Sequence, residues 1–259
     1  MKINLSYRQI FQISFPIMLG SAAQNVIALS DSVFLYHVSE LDFAAIGFVG
    51  VFYLIISAIG FGFSRGGQIM IARRVGEDNH EEVGRTFYGL VYFEIGLACL
   101  MFAFMVFGCP WLFDLMVDSE VIYTKSLEYI DYRSWGVFAS YIGVAIVALY
   151  TGVARPVFIV YDAILLIVIN IILNYVLIFG HFGFPEMGIA GAGLASTIAE
   201  YVAILAFFIY MLLDGENKNY RLYRLPDLDF ELIKTQFKIG APIVAQAVVS
   251  LGSWFIFFG

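Results

Sequence analysis

Asp31 sits in the stretch "QNVIALSDSVF", Gln24 to Phe34, and the run from Ile10 to Phe34 holds no other charged side chain. A carboxylate in hydrocarbon costs roughly 2.5–3.5 kcal/mol on insertion scales, and acids retained there mark ion or proton pathways. Gln24, seven residues earlier, shares its helical face. Asn170 and Asn174 share one face of a second apolar stretch at i,i+4 spacing, and Ser196 and Glu200 repeat that spacing on a third, with Thr197 beside them. At about 1.5 Å per residue, Asp31, Asn170, Asn174, Ser196 and Thr197 all fall roughly 8–15 Å in from the same end of their stretches. Carboxylate, carboxamide and hydroxyl oxygens in one layer suit a hard monovalent cation such as Na+, and a carboxyl among neutral amides can also hold a proton. The candidate cation- or proton-binding set is therefore Asp31, Asn170, Asn174, Ser196, Thr197 and Gln24. Any one Asn or Ser alone would equally serve as a hydrogen-bonding tie between helices.

Glu94 and Glu200 are candidate cavity acids that could instead pair with a neighbour. Asp162, close to the end of its stretch, is expected to be an interfacial charge. Pro16, with Gly20 nearby, weakens backbone hydrogen bonding and is the candidate bending point of the first helix, with a static kink as the alternative.

These residues need membrane helices to position them. The 259 residues are 61% hydrophobic and only 14% charged, with a net charge of −7 and a mean hydropathy of +0.86. Soluble domains carry about 25% charged residues, so the chain is an integral membrane protein. Its apolar blocks are helix-sized, which favours an all-α polytopic fold over a β-barrel. Spans are expected near 10–36, 43–72, 84–108, 132–153, 157–180 and 188–213, with a seventh from 239 to 259. Basic residues divide unequally. Arg73, Arg74, Arg85, Arg155 and the Lys/Arg residues of 218–238 fall on the side of the N-terminus, and Lys125 and Arg133 on the other. That asymmetry predicts a cytoplasmic N-terminus in a bacterial-type plasma (inner) membrane.

The segment 214–238 reads as a cytoplasmic linker, with "DFELIKTQF" as an amphipathic surface helix. "QIFQISFPIM" (Gln9–Met18) resembles "TQFKIGAPIV" (Thr235–Val244), with Phe, Ile, Pro and Ile matched at a fixed offset. Six spans between the copies imply a parallel repeat. The expected organisation is a six-helix lobe (1–213), the linker (214–238), and the first helix of a truncated second lobe (239–259).

Other motifs carry little. "GIAGAGLAS" lacks the preceding strand of a dinucleotide loop and instead permits close helix approach. The three histidines lie in loops far apart, and Cys99 and Cys109 fit no metal spacing. No nucleophile–base pair falls in an aqueous pocket, so no enzyme activity, cofactor or nucleic-acid partner is expected.

The chain resembles the N-terminal half of a multidrug and toxic compound extrusion (MATE) transporter. The resemblance rests on "FPIMLGSAAQNVIALSDSVF", "QIMIARRVGEDNHEEVGR", "NIILNYVLIFG" and "GIAGAGLASTIAE", in the family's order. It implies twelve helices in two lobes, alternating access, and efflux of organic solutes, cationic or amphipathic, driven by inward H+ or Na+. It implies that Asp31 acts with Asn170, with Asn174 where some members have Asp, and with Ser196 where Thr is usual. A complete cavity would need the missing lobe or a second chain. Two other readings remain: a lipid-linked oligosaccharide flippase, disfavoured by the mainly acidic intramembrane charges, and a non-transporting membrane scaffold.

Overall fold

The computed structural model describes residues 7–223 and 225–258; some side chains of the first and last helices, Gln24 among them, lie outside the description. The helices are α1 (Tyr7–Tyr36), α2 (Glu40–Gly76), α3 (Glu81–Ala103), α4 (Cys109–Met116), α5 (Glu120–Gly152), α6 (Val157–Phe179), α7 (Gly188–Leu213) and α8 (Phe230–Phe258). Among the described residues, six spans are long and apolar enough to cross a membrane, with α3 and α4 forming one of them (Glu81–Met116). A π-helical turn, Phe104–Gly108, joins α3 to α4. Pro110 follows at the start of α4 and cannot donate a backbone hydrogen bond, which loosens the ladder there.

Two boundaries differ from expectation. The fourth span begins at Glu120 rather than near residue 132. Ser119 caps it, its hydroxyl accepting from the Ile122 N–H at 3.4 Å, so the charged stretch that reads as a loop is helical. Residues 230–238, expected as a separate surface helix, are the first turns of α8 and continuous with 239–258. Asp229 caps that helix, accepting from the N–H groups of Glu231 and Leu232 at 3.1 Å each. The Leu232 N–H above all, opposed by slight desolvation and aided by Arg85, holds the Asp229 carboxyl below the usual carboxylate range. α1 runs unbroken through Pro16, as α8 does through Pro242.

α5 is the hub of the bundle and packs against α2, α7 and α3, while α1 lies mainly along α6 and α7 bridges α5 and α6. The two ends differ in character. At the acidic-loop end, buried Asp42 joins three helices: it accepts from Lys125 Nζ of α5 at 2.9 and 3.0 Å and from the Ile189 N–H that opens α7 at 3.3 Å. Gly180 ends α6 at φ 72°, where a side chain would press on the Glu186 backbone 2.7 Å away. At the basic-loop end, Arg155 makes two bonds to Asp214 at 2.7 and 3.1 Å, and Arg85 reaches Asp229 at 2.6 Å. Gln236 donates to the Thr86 carbonyl at 2.8 Å. These contacts stitch the segment after α7 onto α3 and the α5–α6 turn.

α8 docks on α2 through small residues. A Cβ on Gly66 would stand 2.7 Å from the Gln236 carbonyl oxygen and 3.1 Å from the Gly240 nitrogen. Phe63 and Phe237 stack beside this crossing, ring centroids 5.3 Å apart. Backbone cannot yield as a flexible side chain can. Gly66→Leu is therefore expected to lower stability by about 1–3 kcal/mol, the usual cost of overpacking, read as a lower Tm in detergent. An unchanged Tm would contradict the close α2–α8 contact.

Candidate functional site

Asp31 is 2% exposed, and Asn170 and Asn174 are fully buried. The i,i+4 spacing on α6 puts both amides on the face that meets α1, and the small residues at the start of α7 bring Ser196 into the same layer. Asn174 Nδ2 donates to Asp31 Oδ1 at 2.6 Å, and Asn170 Nδ2 reaches the same oxygen at 3.4 Å. Ser196 Oγ donates to Asp31 Oδ2 at 3.1 Å. The ligating groups also bond one another: Asn170 Nδ2 donates to Ser196 Oγ at 3.0 Å, and Asn174 Nδ2 approaches Asn170 Oδ1 at 3.2 Å. Two helices, α6 and α7, thus direct donors at a carboxylate on a third, which is how a buried charge is made tolerable. Asn174 Oδ1 is buried without a hydrogen-bond partner among the described residues.

Asp31, Asn170, Asn174 and Ser196 come together as the sequence suggests. Thr197 does not join them, because its hydroxyl donates to the Tyr132 carbonyl at 3.0 Å. The Gln24 side chain lies outside the described residues. Glu94 is fully buried but stands apart, accepting from Ser64 of α2 at 2.9 Å while its other oxygen has no partner among the described residues.

The partner of Glu200 escapes sequence reading. Arg133, which reads there as a basic residue at a membrane edge, is 3% exposed in the interior of α5. It holds Glu200 of α7 through two parallel bonds at 2.7 and 2.5 Å. Its guanidinium lies over the Tyr53 ring of α2, 3.9 Å from the centroid. Gly136, one turn along, makes room: a Cβ there would stand 2.9 Å from both Glu200 Oε2 and Thr197 Oγ1. A sequence signal does exist. Ser126, Tyr129, Ile130, Arg133 and Val137 recur at helical spacing, but two of them are polar, so counting apolar residues misses the face.

Two cavities border this layer. A cavity of about 720 Å³ opens between α1 and α2 and is lined by Asp31, Tyr53, Arg133, Ser196 and, toward the basic end, exposed Arg65. A smaller one of about 90 Å³ lies between α1, α5, α6 and α7 and is lined by Glu200, Ser140 and Asp162 among small and apolar residues. Asp162, close to the start of α6, is half-buried: its Oδ1 is buried and has no hydrogen-bond partner among the described residues. The described residues contain no group of three or more His, Cys, Asp or Glu that would hold a metal ion.

Residues 16–176 match the MatE family model. The chain is 24% identical over 222 residues to a probable multidrug resistance protein NorM of Idiomarina loihiensis, covering 84% of this chain and 47% of that protein. It is 29% identical over 252 residues to a protein of the same description in Bacillus cereus, covering 91% and 52%. A crystal structure of MATE in the bent conformation superposes with a TM-score of 0.85 at 22% identity, over 95% of this chain and 55% of that one. The chain spans about half the length of the curated relatives it matches.

The Arg133–Glu200 pair yields a thermodynamic test. Arg133→Met strands a buried carboxylate and is expected to cost about 3–5 kcal/mol, whereas Arg133→Met with Glu200→Met removes both charges and recovers most of that loss. Thermal unfolding of the single and double variants in detergent checks it. Additive losses would mean that the two side chains do not depend on one another.

Proposed function

The chain belongs to the MatE family, and from that premise we propose that this multi-pass membrane protein couples the export of organic solutes to the inward movement of a proton. The observation that carries the proposal is the convergence of Asn174, Asn170 and Ser196 on Asp31. With the acid ionised, three neutral side-chain donors satisfy it and its negative charge faces the cavity. A proton arriving on Oδ2 changes the pattern. The new O–H must donate, Ser196 Oγ is the nearest acceptor, and the serine hydroxyl has to turn away. The tie between α1 and α7 then reverses polarity, and the negative charge facing the 720 Å³ cavity disappears. A solute held partly by that charge loses affinity on protonation.

The rest of the cavity wall suits flat amphipathic molecules, since Tyr53 and Phe61 supply aromatic surface and Asp31 the attraction for a cationic group. Alternating access with a bend of α1 at Pro16 would transmit the change, because α1 carries Asp31 and forms one side of the opening. Residues 1–213 act in this proposal as one lobe, and α8 begins the counterpart that closes the cavity, supplied by a longer chain or a second one. The asymmetry of basic residues favours a cytoplasmic N-terminus in a bacterial plasma membrane.

Na+ coupling is the second reading. Its support is Asn174 Oδ1, a buried oxygen without a hydrogen-bond partner among the described residues. It requires the Asn170 and Asn174 amides to present oxygen rather than nitrogen to the ion, a larger rearrangement than protonation needs.

In the full-length protein reconstituted in liposomes, Asp31→Asn is expected to abolish gradient-driven efflux of a lipophilic cationic dye. Asn174→Ala and Ser196→Ala are expected to weaken it. Imposing a pH gradient at equal Na+ should drive efflux, and a Na+ gradient at equal pH should not. Gradient-driven efflux retained by Asp31→Asn would overturn the proposal; efflux driven by Na+ alone would transfer it to the second reading.

A further inference from the structure

Asp162 has no place in the mechanism above, yet its position on α6 is informative. Asp162, Leu166, Asn170 and Asn174 follow one another at steps of four, so the face that holds Asp31 continues toward the basic-loop end and meets a second acid. Asp162 stands two turns, about 12 Å, from Asn170 along the axis. The 90 Å³ cavity occupies that interval, with Leu166 and Asp162 both in its wall. Ala139, Gly143, Ala163 and Ala203 create the space, which has room for a few waters. Among the described residues, the titratable groups lining it are Asp162 and Glu200.

Glu200 is committed to Arg133 through two short bonds and acts as a fixed counter-charge rather than a carrier. Asp162 is not committed: its Oδ1 is buried with no hydrogen-bond partner among the described residues, the condition that a bound water relieves. α1 closes the cavity through Ile17, Gly20 and Ala23, all just beyond Pro16. Gly20 is needed there, because a Cβ would stand 2.6 Å from Ile159 Cγ2. Ile17, Gly20, Ala23 and Asp31 all lie on the same side of Pro16, so a bend there that moves this part of α1 changes the cavity wall and the Asp31 ties together.

We propose that this cavity is the inner leg of the coupling-proton path and that Asp162 receives the proton after it leaves Asp31, an inference that rests on the proton-coupled reading of Asp31. The step balances without electron transfer. The O–H bond of the Asp31 carboxyl breaks as its proton passes to water that crosses the apolar layer of Ile27, Leu166 and Ala203 into the cavity. That water chain gives up an equivalent proton to the Asp162 carboxylate, forming its O–H bond. Asp31 returns to the carboxylate held by Asn174, Asn170 and Ser196, and Asp162 later releases its proton to water at the basic-loop end.

The test uses full-length protein in liposomes, with ethidium as the probe and an imposed pH gradient. Asp162→Asn is expected to slow gradient-driven ethidium efflux by about tenfold or more, as loss of a positioned proton carrier does. Equilibrium ethidium binding in detergent should stay unchanged. Asp162→Glu should restore most of the rate, and Ala203→Leu, which fills the cavity without touching a charge, should reproduce the defect. Wild-type efflux in Asp162→Asn, alongside an inactive Asp31→Asn, would overturn this inference alone. Loss of ethidium binding in Asp162→Asn, or failure of Asp162→Glu to rescue, would assign Asp162 a structural role and overturn it too. Active Asp31→Asn would show that the reading beneath it has failed.

Discussion

A carboxylate enclosed by helices in a bilayer must find its solvation within the protein. That requirement organises this molecule. Asp31 is satisfied by donors from α6 and α7, neither of them adjacent to α1 in sequence, so the site exists only when three helices are docked in register. The i,i+4 spacing of Asn170 and Asn174 and the small residues opening α7 each serve that docking. A buried polar network is stabilising when complete and costly when any member is missing. Adding or removing one proton in such a network is therefore a structural event as well as an electrostatic one.

The second buried charge pair is arranged differently. Arg133 and Glu200 satisfy each other in parallel, with the guanidinium backed by the Tyr53 ring and Gly136 leaving the space. Such a pair has little reason to change state. It ties α5 to α7 at the boundary of both cavities, and it keeps a fixed positive group in the wall that also holds Asp31. One acid is held by neutral donors and the other by a guanidinium, and in the proposed mechanism only the first exchanges its charge. Asp42 with Lys125 does at the acidic-loop end what Arg133 does in the interior. Together they tie α2, α5 and α7 to one another beside the Asp31 network.

Much of this was legible in the chain. The spans follow from hydropathy, and the shared depth of Asp31, Asn170, Asn174 and Ser196 follows from counting residues along helices. What escaped did so for physical reasons. The first four turns of α5 carry Lys125, Glu128, Asp131 and Arg133, and hydropathy cannot distinguish a loop from a helix whose basic residues are paired within the bundle while its acids are exposed. Thr197 lies beside Ser196 in sequence, but adjacent residues on a helix point about 100° apart, which sends its hydroxyl to the Tyr132 carbonyl. The cavity beside Asp162 is formed by residues too small to signal anything in a sequence. The amphipathic start of α8 was visible, but its continuity with the following span is a matter of backbone, not of side-chain pattern.

The central claim is that Asp31, held by Asn170, Asn174 and Ser196, is the group that gains and loses the coupling proton. Infrared difference spectroscopy of the protein in lipid, recorded across a pH titration, reads that event at the carboxyl itself. The account predicts a protonated-carboxyl C=O band that rises on acidification, shifts in D2O, is lost in Asp31→Asn, and moves in frequency in Asn174→Ala as the hydrogen bond to it changes. A difference spectrum unaltered by Asp31→Asn would contradict it.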